Sequence, residues 1–404
     1  MNLFARLFTR KTKEFTYDQI AGLIDQAATH NAAGVMVTEK SALEVSTVLG
    51  CVRVISDGCA TPALHVFRQM DDGTTQKATD RPEYRLLARR PNEWQTSVEW
   101  RRQMTLHAAL CGAGLSIKAK GINGRLRELI PVQPGRWDVT KTSRYERAYR
   151  CWDEFGLIGE FSDDDVFLIP GMQWDSTTVW PAVNMARSSI GLAIATERSQ
   201  ASMHKNGLRT SGVYSVDGTL TEEQHTRLTQ FLKRKSGPDA TGTPLILDRG
   251  AKWMSSAMSG VDAQHVETRR LQVEEICRAF GVFPQMVGHT DKASTFASAE
   301  AFFKAHLVHT LKPWHEVWKQ RLDETLLDGS GPLFANFDTT YMTQGNEKDH
   351  AVWVRTMAEM GVLTRNEIRQ GVGLDPLPGL DDPLTPMNMT TGDSAEADDD
   401  EKTN

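Results

Sequence analysis

Apolar residues recur at helical spacing in three long runs, and the segments between them are short or polar. Residues 261–280 form one run, closed by Gly281 and then Pro284, a combination that ends helices. Residues 299–327 form the longest, with Phe302, Phe303, Leu307, Leu311, Trp314, Trp318, Leu322 and Leu326 in period. Pro313 lies inside it, where a lost backbone bond predicts a kink. GHTDKASTFAS, residues 288–298, separates these two runs and is small, polar and poor in groups to bury. The third run, residues 183–206, carries Val183, Ala186, Ile190, Ala193, Ile194 and Ala201 towards one face and stops at Gly207. Residues 208–260 lie between the first and third runs. They read as strand 212–216, a turn at Asp217-Gly218, a helix capped at Thr221 and reaching Lys235, and strands 244–247 and 253–256. A module entered by one long helix and left by another predicts a two-helix stalk with the module at its far end.

The pattern changes upstream. Ser41 and Glu44 suggest a capping box that opens a helix through Val45, Val48, Leu49, Val52 and Ile55, ended by Pro62. A strand at 63–68, a turn at Asp71–Gly73 and a short helix before Pro91 follow. Thr96 and Glu99 form a second box, opening a helix to about Cys111. Strands are predicted at 115–120, 127–132, 137–140, 145–152 and 166–169, with an Asn123-Gly124 turn between the first two. Past the long run, a strand at 333–342 and a helix at 346–360 are expected, then a short helix capped by Thr364 and Glu367. The fold class is α+β, elongated and multi-domain. Residues 1–40 read as a mobile arm and residues 386–404 as a disordered acidic tail.

Charge narrows the function. The 46 Lys and Arg against 52 Asp and Glu give a net charge of −6, unsuited to gripping nucleic acid by phosphate neutralisation but compatible with DNA sliding past. The chain contains no GxxxxGK[ST], GxSxG or HExxH. No apolar run reaches membrane-spanning length, and the basic N-terminus lacks a signal peptide's apolar core. The 5 cysteines show no CxxC spacing and read as buried thiols. Two clusters admit metal chemistry: Asp163, Asp164 and Asp165, and His306 with His309, to which Cys277 and His315 are conceivable additions. Contiguous carboxylates diverge, and helix-surface histidines need no ligand, so neither is favoured; a metal-dependent nuclease remains the alternative. No catalytic residue, metal site or cofactor is expected.

ETRRLQVEEICRAFGV (267–282), followed by Pro284 and Val287-Gly288, resembles the portal proteins of tailed bacteriophages, in particular the HK97-like group. LKP at 311–313, LLARRPN at 86–92 and GVLTRNEIRQGVGLDPLPG at 361–379 match the same family in order. The resemblance extends over about residues 41–383. It implies a wing from residues 41–182 and 299–342, stem helices at 183–207 and 261–287, a clip at 208–260, and a crown at 343–385. It also implies a dodecameric ring at a capsid vertex of the virion, assembled in the host cytoplasm and contacting major capsid protein. Double-stranded DNA would pass non-specifically through its channel; the large terminase subunit and later head–tail connector proteins would dock on the clip. Residues 288–298 match the DNA-facing tunnel loop, which makes His289, Thr290, Asp291, Lys292, Ser294 and Thr295 candidate channel residues. Lys233, Arg234 and Lys235 are candidates for partner docking on the clip. The long run holds more bulky apolar residues than one stripe requires, so Phe302, Phe303, Trp314 and Trp318 are candidate subunit-interface residues.

Overall fold

The computed structural model describes residues 33–144, 146–175, 179–206, 212–215, 221–223, 225–227, 230, 252–255, 261–289, 299–327, 329, 331–339, 342 and 347–384. Two compact units emerge: Met1–Ala293 with Thr310–Asn336, and Ser294–His309 with Phe337–Asn404. Among the described residues no helix is long and apolar enough to cross a membrane.

The first unit opens with α1 (Glu39–Glu44) and α2 (Ser46–Ala60). The capping box is real but sits three residues earlier than expected. Thr38 is the N-cap, and Ser41 supplies the returning side chain at N3. Val45, extended at φ −77° and ψ 113°, divides the two helices. Beyond α2, β1 (Ala63–Gln69) and β2 (Thr75–Lys77) form a sheet with β11 (Leu333–Asp338), in the order β11-β1-β2. The helices α3 (Pro82–Ala88) and α4 (Ser97–Cys111) follow. The box at α4 is where the sequence put it: Thr96 N–H donates to Glu99 at 2.7 Å, and Glu99 N–H to Thr96 at 3.3 Å. Gly112, at φ 90°, turns the chain directly into β3 (Ala113–Lys120). This strand runs so close to α4 that a Cβ at Gly114 would stand 2.4 Å from the Met104 carbonyl oxygen.

Two antiparallel three-stranded sheets follow. One is β4-β3-β8, with β4 (Leu126–Val132) and β8 (Val166–Pro170); the other is the meander β5 (Trp137–Lys141), β6 (Arg147–Trp152) and β7 (Leu157–Ser162). Leu115, Ile117, Val132 and Val166 from the first share a core with Tyr149 and Cys151 from the second. The sequence reading missed β7. Its side chains are mostly exposed, so it shows no buried alternation to read.

Arg101 on α4 is buried and ties this region to α2. It donates to the Cys59 and Pro62 carbonyls at 3.3 and 2.6 Å and to the Ser97 carbonyl at 3.3 Å. Nearly two turns further on, His107 is buried with its Nδ1 unpartnered among the described residues. Desolvation pushes its pKa down from 6.5 to about 4. The folded state therefore binds fewer protons than the unfolded chain between those values, and stability falls as pH drops from about 6.5 towards 4. His107→Leu is expected to flatten the dependence of the thermal midpoint on pH in that window. An unchanged slope would remove His107 as its source.

The predicted helix 183–206 is divided in the structure. A short α5 (Ala182–Met185) precedes α6 (Arg187–Asn206), with Ala186 at φ −90° and ψ 12° between them. α7 (Val261–Phe280) packs on α6. Ser189 bonds Glu275 at 3.0 Å, Gln272 bonds Thr196 at 3.2 Å and Arg269 bonds Gln200 at 3.0 Å, so the helices run antiparallel. Near the body they share an apolar core of Ile190, Ile194, Ile276 and Phe280; further out polar pairs take over. Between these helices in the chain, β9 (Gly212–Ser215) pairs antiparallel with β10 (Lys252–Ser255). The expected strand at 244–247, the end of the module's helix at Lys235, residues 1–32 of the arm and the tail 386–404 lie outside the described residues, whereas the arm's last two residues, Glu39 and Lys40, already belong to α1.

After α7 the long run comprises α8 (Ala299–His306), a π-helical turn (Leu307–Leu311) and α9 (Lys312–Leu326). Pro313 does not sit within an unbroken α-helix. The wider π turn interrupts the α ladder, and the proline falls in the first turn of α9, where its missing N–H costs nothing. In the second unit, α10 (Glu347–Glu359) and α11 (Arg365–Gly371) follow. Thr364 and Glu367 form the expected box. The buried Asn366 amide donates to the Leu377 carbonyl at 2.9 Å and to Asp381 at 2.7 Å, folding the Pro-rich segment back on α11.

Candidate functional site

The segment of interest, residues 288–298, is rooted in ordered structure on both sides. On its N-terminal side α7 ends at Gly281 (φ 66°), where Val282 N–H reaches back to the Cys277 carbonyl at 2.9 Å. A 3-10 turn, Pro284–Val287, leads to Gly288 at φ 81°. The His289 N–H donates to the Pro284 carbonyl at 3.0 Å. On the C-terminal side, the Thr310 hydroxyl donates to the Gly281 carbonyl at 2.8 Å. The π turn is thus tied to the end of α7, closing the root of the segment.

Both flanks rest on α2. A Cβ at Gly50 would lie 3.1 Å from Val287, and one at Gly58 would lie 2.4 Å from Leu311. His315 Nε2 bonds the Gly58 carbonyl at 3.0 Å, and burial holds this imidazole below its usual pKa. The two glycines are about two helical turns apart and on one face. They let α2 approach the residues just before and just after the segment. None of Thr310, Gly50 and Gly58 stood out in the sequence. Thr310 is a single hydroxyl in an apolar run, and glycines in a helix give no hint of what lies against them.

Thr310→Val keeps the shape and removes the hydroxyl, leaving the Gly281 carbonyl without this donor. We expect a loss of about 1 kcal/mol and faster amide exchange from Val282 to His289. Unchanged exchange there would show that the bond does not hold the root together.

Thr290, Asp291, Lys292, Ser294 and Thr295 lie outside the described residues, as do Lys233, Arg234 and Lys235. The expected interface residues divide. Phe303 is 55% exposed, and Phe302 is half-buried with its ring 5.7 Å from that of Phe303. Trp314 is half-buried against the protomer's own core around α2 and α7. Trp318 contradicts the expectation outright, being fully buried. Its Nε1 donates to Thr105 at 3.1 Å, and its ring meets Trp100 and Phe167 at 5.3 and 5.8 Å. The wide apolar face does not reach outward at Trp318, because α4 and β8 cover that residue from within the same chain.

The two metal candidates are dispersed. Asp163, Asp164 and Asp165 form a 3-10 turn. Asp163 pairs with Arg147 at 2.7 Å and accepts from Tyr149 at 2.9 Å, whereas Asp165 pairs with Lys120 at 2.7 Å. Cys277 faces Cys51 while His315 bonds Gly58. His306 is buried with its Nδ1 unpartnered, and among the described residues no three His, Cys, Asp or Glu side chains come together as a metal site.

The phage portal protein family model matches residues 46–373. The portal protein of Enterobacteria phage HK97 is 28% identical over 351 residues, covering 85% of this chain and 82% of that protein. A chain in the virion of a native gene transfer agent particle superposes with a TM-score of 0.57 at 21% identity, covering 88% of this chain and 99% of that one. A chain in the neck of the native particle, computed with C12 symmetry, gives 0.54 at 21% identity, covering 88% and 93%. These neighbours share the α+β fold of this chain over most of their length. The chain belongs to the phage portal protein family. The comparisons lend the metal-dependent nuclease alternative no support.

Proposed function

We propose that twelve copies form a ring around a central channel at one capsid vertex, through which double-stranded DNA is packaged and later ejected. The family match across residues 46–373 carries this reading, and the neck neighbour's C12 symmetry supports the ring number. In it, α6 and α7 are the stem, residues 208–260 the clip, residues 41–182 and 299–342 the wing facing major capsid protein, and residues 343–385 the crown inside the head. The clip receives the large terminase subunit during packaging and head–tail connector proteins afterwards, with Lys233, Arg234 and Lys235 at the docking surface. Residues 289–295 face DNA, and Phe302 and Phe303 meet a neighbouring subunit. The ring is not an enzyme; ATP hydrolysis belongs to the terminase. It assembles in the host cytoplasm and resides in the virion. Antibody against residues 343–404 on opened particles, and against the clip on intact tailless heads, should each mark a single vertex. Label spread over the capsid lattice would overturn the placement.

A further inference from the structure

Cys51 lies midway along α2, and Cys277 lies in the last turn of α7. Their sulfurs are 3.7 Å apart, and both side chains are fully buried among Val48, Val52, Ile276 and Phe280. Both are free thiols, as are Cys59, Cys111 and Cys151. Among the described residues this is the one thiol pair in contact. We propose that Cys51 and Cys277 are a modification site: they close into a disulfide on exposure to a small-molecule disulfide or comparable thiol oxidant, stapling the root of the 288–298 segment to α2.

Closure needs the sulfurs to approach from contact to a bond of about 2.05 Å, within reach of side-chain rotation and slight helix movement. The Cys51 thiol donates to the Cys277 sulfur. That bond lowers the Cys277 pKa, while the same bond and burial raise that of Cys51. Exchange runs with Cys277 attacking first, and the reverse order gives the same product. The Cys277 thiolate displaces one half of the reagent disulfide as a thiolate and forms a mixed disulfide. Cys51 then gives up its proton and attacks the Cys277 sulfur, and the second half leaves as a thiolate. Two protein thiols are oxidised, and one reagent disulfide is reduced to two thiols. Burial pushes Cys59 and Cys111 up to about 12 and Cys151 up to about 11, which slows their attack as thiolates.

The bond would join positions 226 residues apart and constrain the unfolded chain accordingly. In a portal, it would leave the ring adaptable in the reducing cytoplasm and fix the base of the channel segment after release. That consequence rests on the proposed function; the chemistry does not.

The test treats purified full-length protein with dithiodipyridine, quenches in acid and maps peptides without reduction. We expect a linked peptide containing Cys51 and Cys277, an intact-mass loss of about 2 Da for the two hydrogens, and a thermal midpoint raised by several degrees that reductant restores. Cys151→Ser should leave all three results unchanged; Cys51→Ser and Cys277→Ser should each abolish them. Pyridyl adducts without a link, a link to another cysteine, or a midpoint that does not rise would overturn the proposal. Failure of ring formation would bear on the proposed function alone.

Discussion

Trp318→Ala should destabilise the protomer by about 3–5 kcal/mol, the usual cost of emptying a large buried aromatic site. The indole fills the space between α4 and β8, touches Trp100 and Phe167, and donates to Thr105. Truncation leaves a cavity and takes one donor from the Thr105 hydroxyl, and Trp100 loses its edge contact. Any loss of rings would then follow from unfolding, visible as a lower denaturation midpoint at protein concentrations where no ring exists. Phe303→Ala should behave in the opposite way. Phe303 is more than half exposed, so its removal should cost the isolated protomer little yet weaken assembly in sedimentation. Should Trp318→Ala leave the denaturation midpoint unchanged while breaking rings, Trp318 would be an interface residue after all.

Deleting residues 291–295 should leave rings largely intact and remove most packaged DNA. The root of the segment is held by elements the deletion does not touch. Thr310 bonds Gly281, Val287 rests against Gly50, and Leu311 and His315 rest against Gly58. Lys292→Ala should have a much smaller effect, because one cation per subunit contributes modestly to a DNA contact. Ring formation and packaged DNA, measured separately for both variants, decide the matter. Lost assembly in the deletion, with packaging abolished by Lys292→Ala alone, would make the segment structural with one essential charge.

Local chemistry carried most of the legible fold. The boxes at Thr96 and Thr364, the stop at Gly281 and the chain order of α6, the β9–β10 pair and α7 are all written in short-range patterns. Errors arose where two registers fit equally. Ser41 satisfies both ends of a capping box, because its hydroxyl accepts as readily as Thr38's and Glu44 also lies at the right spacing. The strand β7 was invisible because an exposed meander edge buries too little to alternate. Trp318 shows a different limit. Periodicity identifies an apolar face but cannot say whether the same chain or another copy covers it. The root of the 288–298 segment was the least legible part, since it depends on glycines of α2 more than two hundred residues upstream in the chain.

The central claim is a ring with an open channel, and cryo-electron microscopy of the purified full-length protein tests it most directly. The account predicts end-on class averages with twelve-fold symmetry and a central hole, and side views in which the paired helices α6 and α7 project from the body with the module of residues 208–260 at their tip. Monomers or compact closed oligomers without a central hole, at concentrations where the protein is folded, would contradict it.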